Sequence, residues 1–251
     1  NDVLASLDTE FERLYEGTGR SSIAPERLLR ASLLQAFYTI RSERQLVDQI
    51  DYNLLFRWFV GLGIDDPVWA HSTFSKNRDR LLDADVAAKF LEAVLRHPKV
   101  KRFLSEEHFT VDGTLIEAWA SMKSVRAKDG SDEPPAPGRN GERDFKGETR
   151  INATHASTTD PDAKLYRKGK GQPAKLCFMG HALAENRHGL VVKADASQAN
   201  GTAERERAIA MIHAHAPGST RRLTLGADKA YDAKGFVTEL RQMCVTPHVA
   251  A

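Results

Sequence analysis

The stretch Phe109-Thr110-Val111-Asp112-Gly113-Thr114-Leu115-Ile116-Glu117-Ala118-Trp119 decides how this chain is read. Phe109, Thr110 and Val111 are aromatic and β-branched types that suit a pleated surface. Leu115 and Ile116 resume the apolar run after Gly113, so the stretch predicts a strand. Asp112 is then an acid embedded in a buried strand. Such a carboxylate is costly unless it is paired, hydrogen-bonded or bound to a cation, and its partner must be sought elsewhere.

The best partner lies 116 positions on (228 − 112), in Leu223-Thr224-Leu225-Gly226-Ala227-Asp228-Lys229-Ala230-Tyr231-Asp232. Leu223 and Leu225 lead into a second strand, Gly226 and Ala227 leave room for close backbone approach, and Asp228 falls where the strand gives way to a turn. Two carboxylates delivered by neighbouring strands suit a hard divalent cation, because magnesium takes one or two carboxylates together with waters and substrate phosphates. Either aspartate taken alone reads more simply as a turn or helix cap.

The 251 residues leave room for two domains, and 41% hydrophobic residues suffice for a core in each. No stretch has the length of a membrane span or the form of a signal peptide, so a soluble, cytoplasmic protein is expected. A formal charge of +2 is too small to argue for a polyanionic partner, and any such argument rests on local clusters. Cys177 and Cys244 form no metal or redox pattern and read as small hydrophobes in a reducing compartment. The histidines lack ligand spacing.

Residues 1–105 read as all-helical. Pro25 opens a helix with Leu28, Leu29, Leu33, Ala36, Phe37 and Ile40 on one face. Ser42 and Gln45 have capping-box spacing, and Asn53 caps a short apolar helix ending at Gly61. His71 to Leu82 differs from its neighbours: Phe74, Asn77 and Leu81 face inward while Ser75, Lys76, Arg78 and Arg80 gather on the other side, the polar face of a DNA-recognition helix. A solvated amphipathic face accounts for the same pattern. Asp85 caps a further helix that ends near Pro98.

From 106 onward the pattern is of strands, interrupted by a polar insertion at about 123–173 rich in proline, glycine and charge. Its run Lys164-Leu165-Tyr166-Arg167-Lys168-Gly169-Lys170 holds four cations and no acid, so Arg167, Lys168 and Lys170 are candidate phosphate contacts beside an aromatic. A solvated charge run is the simpler account. Strands at 175–184 and 190–196 are joined by Asn186-Arg187-His188-Gly189, then come a helix from Ala203, the Asp228 strand, a helix capped by Asp232 and a strand from Val245.

Several separated motifs occur together: Ser42 to Leu46, Asp51 to Leu62, His71-Ser72-Thr73-Phe74-Ser75-Lys76-Asn77-Arg78, Val111-Asp112-Gly113-Thr114, Thr154 to Asp162 and Gly226 to Asp232. In this order they resemble a bacterial insertion-sequence transposase of the DDE type, over nearly the whole chain. The resemblance implies a mixed α+β protein, with an all-α DNA-binding region at 1–105 and a ribonuclease H-like catalytic domain at 106–251. In such a sheet the first and fourth strands lie side by side, which would bring Asp112 and Asp228 together.

The family's chemistry is phosphoryl transfer with two Mg2+ ions, or Mn2+ in their place, held by two aspartates and a later glutamate. The implied roles are Asp112 on both ions, Asp228 on one and Lys229 near a phosphate. Water and then a 3′-hydroxyl act as nucleophiles. The implied partners are double-stranded DNA, as element terminal repeats and target, and a second copy of the chain, with no membrane. The third acid is expected in a Tyr-x-x-Arg-x-x-x-Glu pattern on helices beyond the last strand, and it is missing here. The chain is therefore expected to be truncated at its C-terminus and to bind metal weakly, with little or no turnover. The rival expectation is a non-catalytic DNA-binding remnant or regulator of transposition.

Overall fold

The computed structural model describes residues 2–13, 23–83, 85–130, 150–169, 171–218 and 220–250. The chain divides into two compact units, residues 1–102 and 103–251, in a mixed α+β fold.

The first unit contains α1 (Asp2–Ala5), α2 (Asp8–Glu12), α3 (Pro25–Phe37), α4 (Glu43–Tyr52), α5 (Leu54–Val60), α6 (His71–Asp83), α7 (Val86–Arg96) and α8 (Pro98–Lys101). Leu28, Leu46, Ile50, Val60 and Phe74 are its fully buried centre. Local chemistry sets the helix starts. Ser42 Oγ accepts the Gln45 N–H at 3.1 Å, and Asn53 Oδ1 accepts those of Leu55 and Phe56, caps worth about 1 kcal/mol each. Gly61 ends α5 at φ +89°, a conformation that a side chain would strain. Asp85 precedes α7 at φ +54° without a side-chain cap, contrary to the expected capping role.

The stripe of α3 also differs from expectation. Leu28, Ala31 and Leu34 are buried, whereas Ala36 and Phe37 are exposed. The helix ends at Phe37, so Leu34 is its last inward residue, and Tyr38 packs on Phe56 at a ring separation of 4.8 Å. Arg57 is buried and donates to the carbonyls of Gly63, Ile64 and Asp66, which ties α5 to the loop after it.

The second unit contains β1 (His108–Glu117), β2 (Val125–Ala127), β3 (His155–Ser157), β4 (Lys164–Tyr166), β5 (Lys175–Glu185), β6 (Val191–Gln198), α9 (Ala203–His215), β7 (Leu223–Ala227), α10 (Lys234–Gln242) and β8 (Val245–Val249). Its main sheet has the order β4-β5-β1-β7-β8, with β6 also on β5. β1, β5 and β6 form an antiparallel meander, and β7 and β8 enter parallel to β1 after helical crossovers. Read as β6-β5-β1-β7-β8, this is the ribonuclease H-like arrangement. One sheet face packs Phe109, Val111, Leu223 and Leu225 against Ala208, Met211 and Ile212 of α9 and Phe236 and Leu240 of α10.

Part of the expected polar insertion is sheet. β2 pairs with β3, and the basic run begins as β4, whose Lys164 and Leu165 pair with Cys177 and Leu176. Residues 131–149 lie outside the described residues. α10 starts at Lys234 after Ala233 with no side-chain cap, so Asp232 does not have the expected capping role. Cys177 is buried and Cys244 is exposed at φ +59° in the turn before β8; both are free thiols. Among the described residues no helix is long and apolar enough to cross a membrane.

The β5–β6 turn is built on a buried acid. Glu185 is fully buried, and its carboxylate accepts the N–H groups of Ser105, Arg187, His188 and Leu190 at 2.8–3.1 Å. Gly189 closes the turn at φ +71°.

Candidate active site

β1 alternates strictly. Phe109 and Val111 point into the α9–α10 core and Gly113 is buried, while Thr110, Asp112 and Thr114 are exposed. Asp112 is therefore not buried, as its apolar neighbours had suggested: the strand buries one face only, and the acid falls on the open one.

The parallel ladder to β7 runs His108 to Thr224, Phe109 to Leu225 and Thr110 to Gly226. Continued by two residues (110 + 2, 226 + 2), the register sets Asp112 level with Asp228, the residue that follows β7. Leu223 and Leu225 face the core, so Thr224, Gly226 and Asp228 share the open face with Asp112. A Cβ at Gly226 would lie 3.3 Å from Thr110 Oγ1, so glycine there eases the close approach of the two strands.

Each carboxylate has one oxygen engaged locally. Asp112 Oδ1 accepts the Gly113 N–H at 2.8 Å, and Asp228 Oδ1 accepts the Ala230 N–H at 3.0 Å, capping the short 3-10 turn Lys229–Tyr231. Among the described residues no protein donor engages either Oδ2. This donor set fits a hard divalent cation that keeps most of its waters. Among the described residues no three His, Cys, Asp or Glu side chains are gathered closely enough to hold an ion by themselves.

A third acid that the sequence reading missed stands nearby. A Cβ at Gly113 would come within 2.8 Å of Glu204 Oε1 and 2.9 Å of its Cγ, so the Glu204 side chain lies directly against β1. Burial raises its pKa, Lys168 opposes the shift, and Asp228 and Asp112 add to it. Helix position gave no clue, because first-turn acids are common. The one signal in the sequence is a glycine immediately after Asp112.

The basic run sits beside this cluster. Lys168 Nζ donates to the Gly113 carbonyl at 3.2 Å. Thr114, Leu115, Tyr166, Arg167, Lys168 and Lys175 line a groove of about 200 Å³ together with Gln172 and Pro173. Arg167 and Lys168 are exposed, Lys175 is paired with Glu117, and Lys170 lies outside the described residues. Lys229 is exposed next to Asp228.

In the first unit α6 has the inward face expected, with Phe74, Asn77 and Leu81 buried. Its outer residues divide. Ser75 Oγ and the Arg78 guanidinium both donate to the Glu43 carboxylate on α4, whereas Lys76 and Arg80 are exposed.

Comparison with known proteins adds the following. Among solved structures, a piggyBac transposase synaptic complex with hairpin DNA shares 11% identity over 99% of this chain and 48% of its own, with a TM-score of 0.38. A Mos1 transposase paired-end complex shares 12% over 97% and 66% with a TM-score of 0.28, and a simian T-cell lymphotropic virus intasome 9% over 69% and 47% with a TM-score of 0.30. The chain thus spans about half to two thirds of the length of these proteins, and overlays this loose transfer no chemistry. No curated protein sequence matches the chain. Residues 2–80 match the transposase domain DUF772. That match covers α1 to most of α6, about a third of the chain.

Proposed function

We propose that the chain is a DDE-type DNA transposase of an insertion sequence, with Asp112 and Asp228 as the carboxylates that hold its divalent cation. The observation that carries this reading is the parallel pairing of Thr110 with Gly226, two residues before each acid, with one oxygen of each carboxylate left open. A bound Mg2+ or Mn2+ would supply charge neutralisation and an activated oxygen nucleophile for phosphodiester cleavage and transfer. The chain's own contribution is position. Backbone N–H bonds fix both carboxylates, while Lys168 on the Gly113 carbonyl, Lys229 next to Asp228 and Arg167 in the groove beside Thr114 offer positive charge suited to DNA phosphates. Lys170 belongs to the same proposal by sequence alone.

The helical unit is the DNA-binding module in this reading, with Lys76 and Arg80 reaching the duplex and Ser75 and Arg78 holding α6 in place through Glu43. Double-stranded DNA and a second copy of the chain are the proposed partners.

The test is Mn2+ binding followed by the electron paramagnetic resonance signal of the free ion. Asp112→Asn and Asp228→Asn are each expected to weaken binding at least tenfold with an unchanged circular dichroism spectrum. Equal binding by the double variant would remove the basis of the proposal.

A further inference from the structure

Glu204 has no part in the two-acid reading, yet its surroundings are built around it. It is the second residue of α9, half-buried, and supplies the three atoms nearest to a Cβ built at Gly113. Glu206, in the same first turn, is exposed. The start of α9 is held firmly: Asn200 Oδ1 accepts the N–H groups of Thr202 and Ala203, each at 2.8 Å. Arg205 donates to the Ala230 carbonyl at 3.0 Å, which joins the helix start to the turn that follows Asp228. Among the described residues no hydrogen-bond donor engages the Glu204 carboxylate.

A second observation points to a ligand. Tyr231 is 1% exposed, and its hydroxyl has no hydrogen-bond partner among the described residues. Buried hydroxyls are nearly always satisfied. Burial raises the pKa of this phenol, and Glu204, Asp112 and Asp228 all raise it further, so the unused donor stands in the field of the same three acids. The Glu204 carboxylate against Gly113, beside Asp112, has Lys168 on the Gly113 carbonyl as its nearby cation, and together with the idle phenol it leaves a place for a hydrated cation.

We propose that Glu204 is a positioning residue of the Asp112–Asp228 cation site, reaching the ion through its retained waters, with the Tyr231 hydroxyl as a donor to the same water cluster. This rests on the two-acid reading above. The three acids do not close on a single ion by themselves, so the contact runs through water, in keeping with the reluctance of such ions to dehydrate. Gly113 is then the residue that lets the glutamate come near.

The test uses the whole chain with Mn2+ alone as probe. Glu204→Gln is expected to weaken Mn2+ binding about tenfold, Tyr231→Phe severalfold, and Glu206→Gln not at all, with Glu204→Asp recovering part of the loss. Without metal, Glu204→Gln is expected to melt at or above the wild-type temperature, because a mutual repulsion is removed. A glutamate with a merely structural role would lower it. Wild-type Mn2+ affinity in Glu204→Gln, alongside loss in Asp112→Asn, overturns this inference and leaves the two-acid site standing. Mn2+ affinity untouched by Asp112→Asn overturns both. A metal-free melting temperature that falls in Glu204→Gln and Glu204→Asp alike also overturns the inference.

Discussion

Thr110 pairs with Gly226 across adjacent parallel strands, and two residues beyond them come Asp112 and Asp228, 116 positions apart in the chain (228 − 112). The pairing is a product of topology. A meander followed by a helical crossover puts β7 beside β1, and alternation then selects the face.

Asp228 has two separable jobs, since its Oδ1 also caps the turn through the Ala230 N–H. Asp228→Asn keeps an acceptor and is expected to unfold in urea close to wild type. Asp228→Ala is expected to cost about 1 kcal/mol. Both are expected to lose the rise in melting temperature that Mn2+ gives the wild type.

Gly113 is not in the left-handed region, so adding a methyl group there tests space alone. Gly113→Ala drives a Cβ into Glu204 and is expected to destabilise by about 1–3 kcal/mol. In a Glu204→Ala background the penalty is expected to shrink by more than half. A double-mutant cycle in urea reads the coupling, and additive effects would show that the two residues do not meet.

Acid stability is expected to fall in two stages. His181 is buried, with Nε2 on Ser197 Oγ at 2.8 Å; burial lowers its pKa, Asp195 opposes this and Arg207 adds to it. The stability that it contributes as a neutral ring is present above the ordinary value of 6.5 and is lost as the pH falls from there towards its folded pKa. For Glu185, burial alone would raise the pKa, and the backbone donors of Leu190, His188, Arg187 and Ser105 outweigh it, leaving the carboxyl below 4.5. Its contribution is present above 4.5 and lost as the pH falls through the depressed folded value. Glu185→Ala strands four N–H groups and is expected to cost about 2–4 kcal/mol at pH 7, with a shallower acid limb in urea melts from pH 7 to 3.

The outer face of α6 is expected to behave unevenly. Lys76→Ala and Arg80→Ala should each weaken binding to duplex DNA and reduce the slope of log K against log salt by about 1, leaving stability unchanged. Arg78→Ala should instead lower stability, since Arg78 is bound to Glu43. Gel retardation at several salt concentrations and urea melts separate the two. Equal salt slopes in all three variants would exclude α6 from the DNA interface.

Most of the strands and helices were legible because alternation, capping residues and spacing are local signals. Ser42, Asn53 and Gly61 mark helix ends through bonds within three or four residues. Two errors have one cause. The apolar run around Asp112 suggested burial, and the run after Pro25 put Phe37 inside, but which face is covered depends on packing that is remote in sequence. Glu204 was missed for the same reason, since its significance lies in Gly113, ninety-one positions away (204 − 113). β4 was hidden because its cations resemble a solvated tail, whereas Lys164 and Leu165 are held by pairing with β5.

That pairing also calibrates distance. β5 is hydrogen-bonded to β1 on one edge and on the other to β4 at Lys175 to Cys177, handing over to β6 at Phe178. The cations that follow β4 are thus indexed to the acid-bearing strand across two ladder widths, roughly 10 Å. On the proposed reading, grip and chemistry share one ruler, and slippage of β4 along its neighbour would miscalibrate a bound DNA without touching either aspartate.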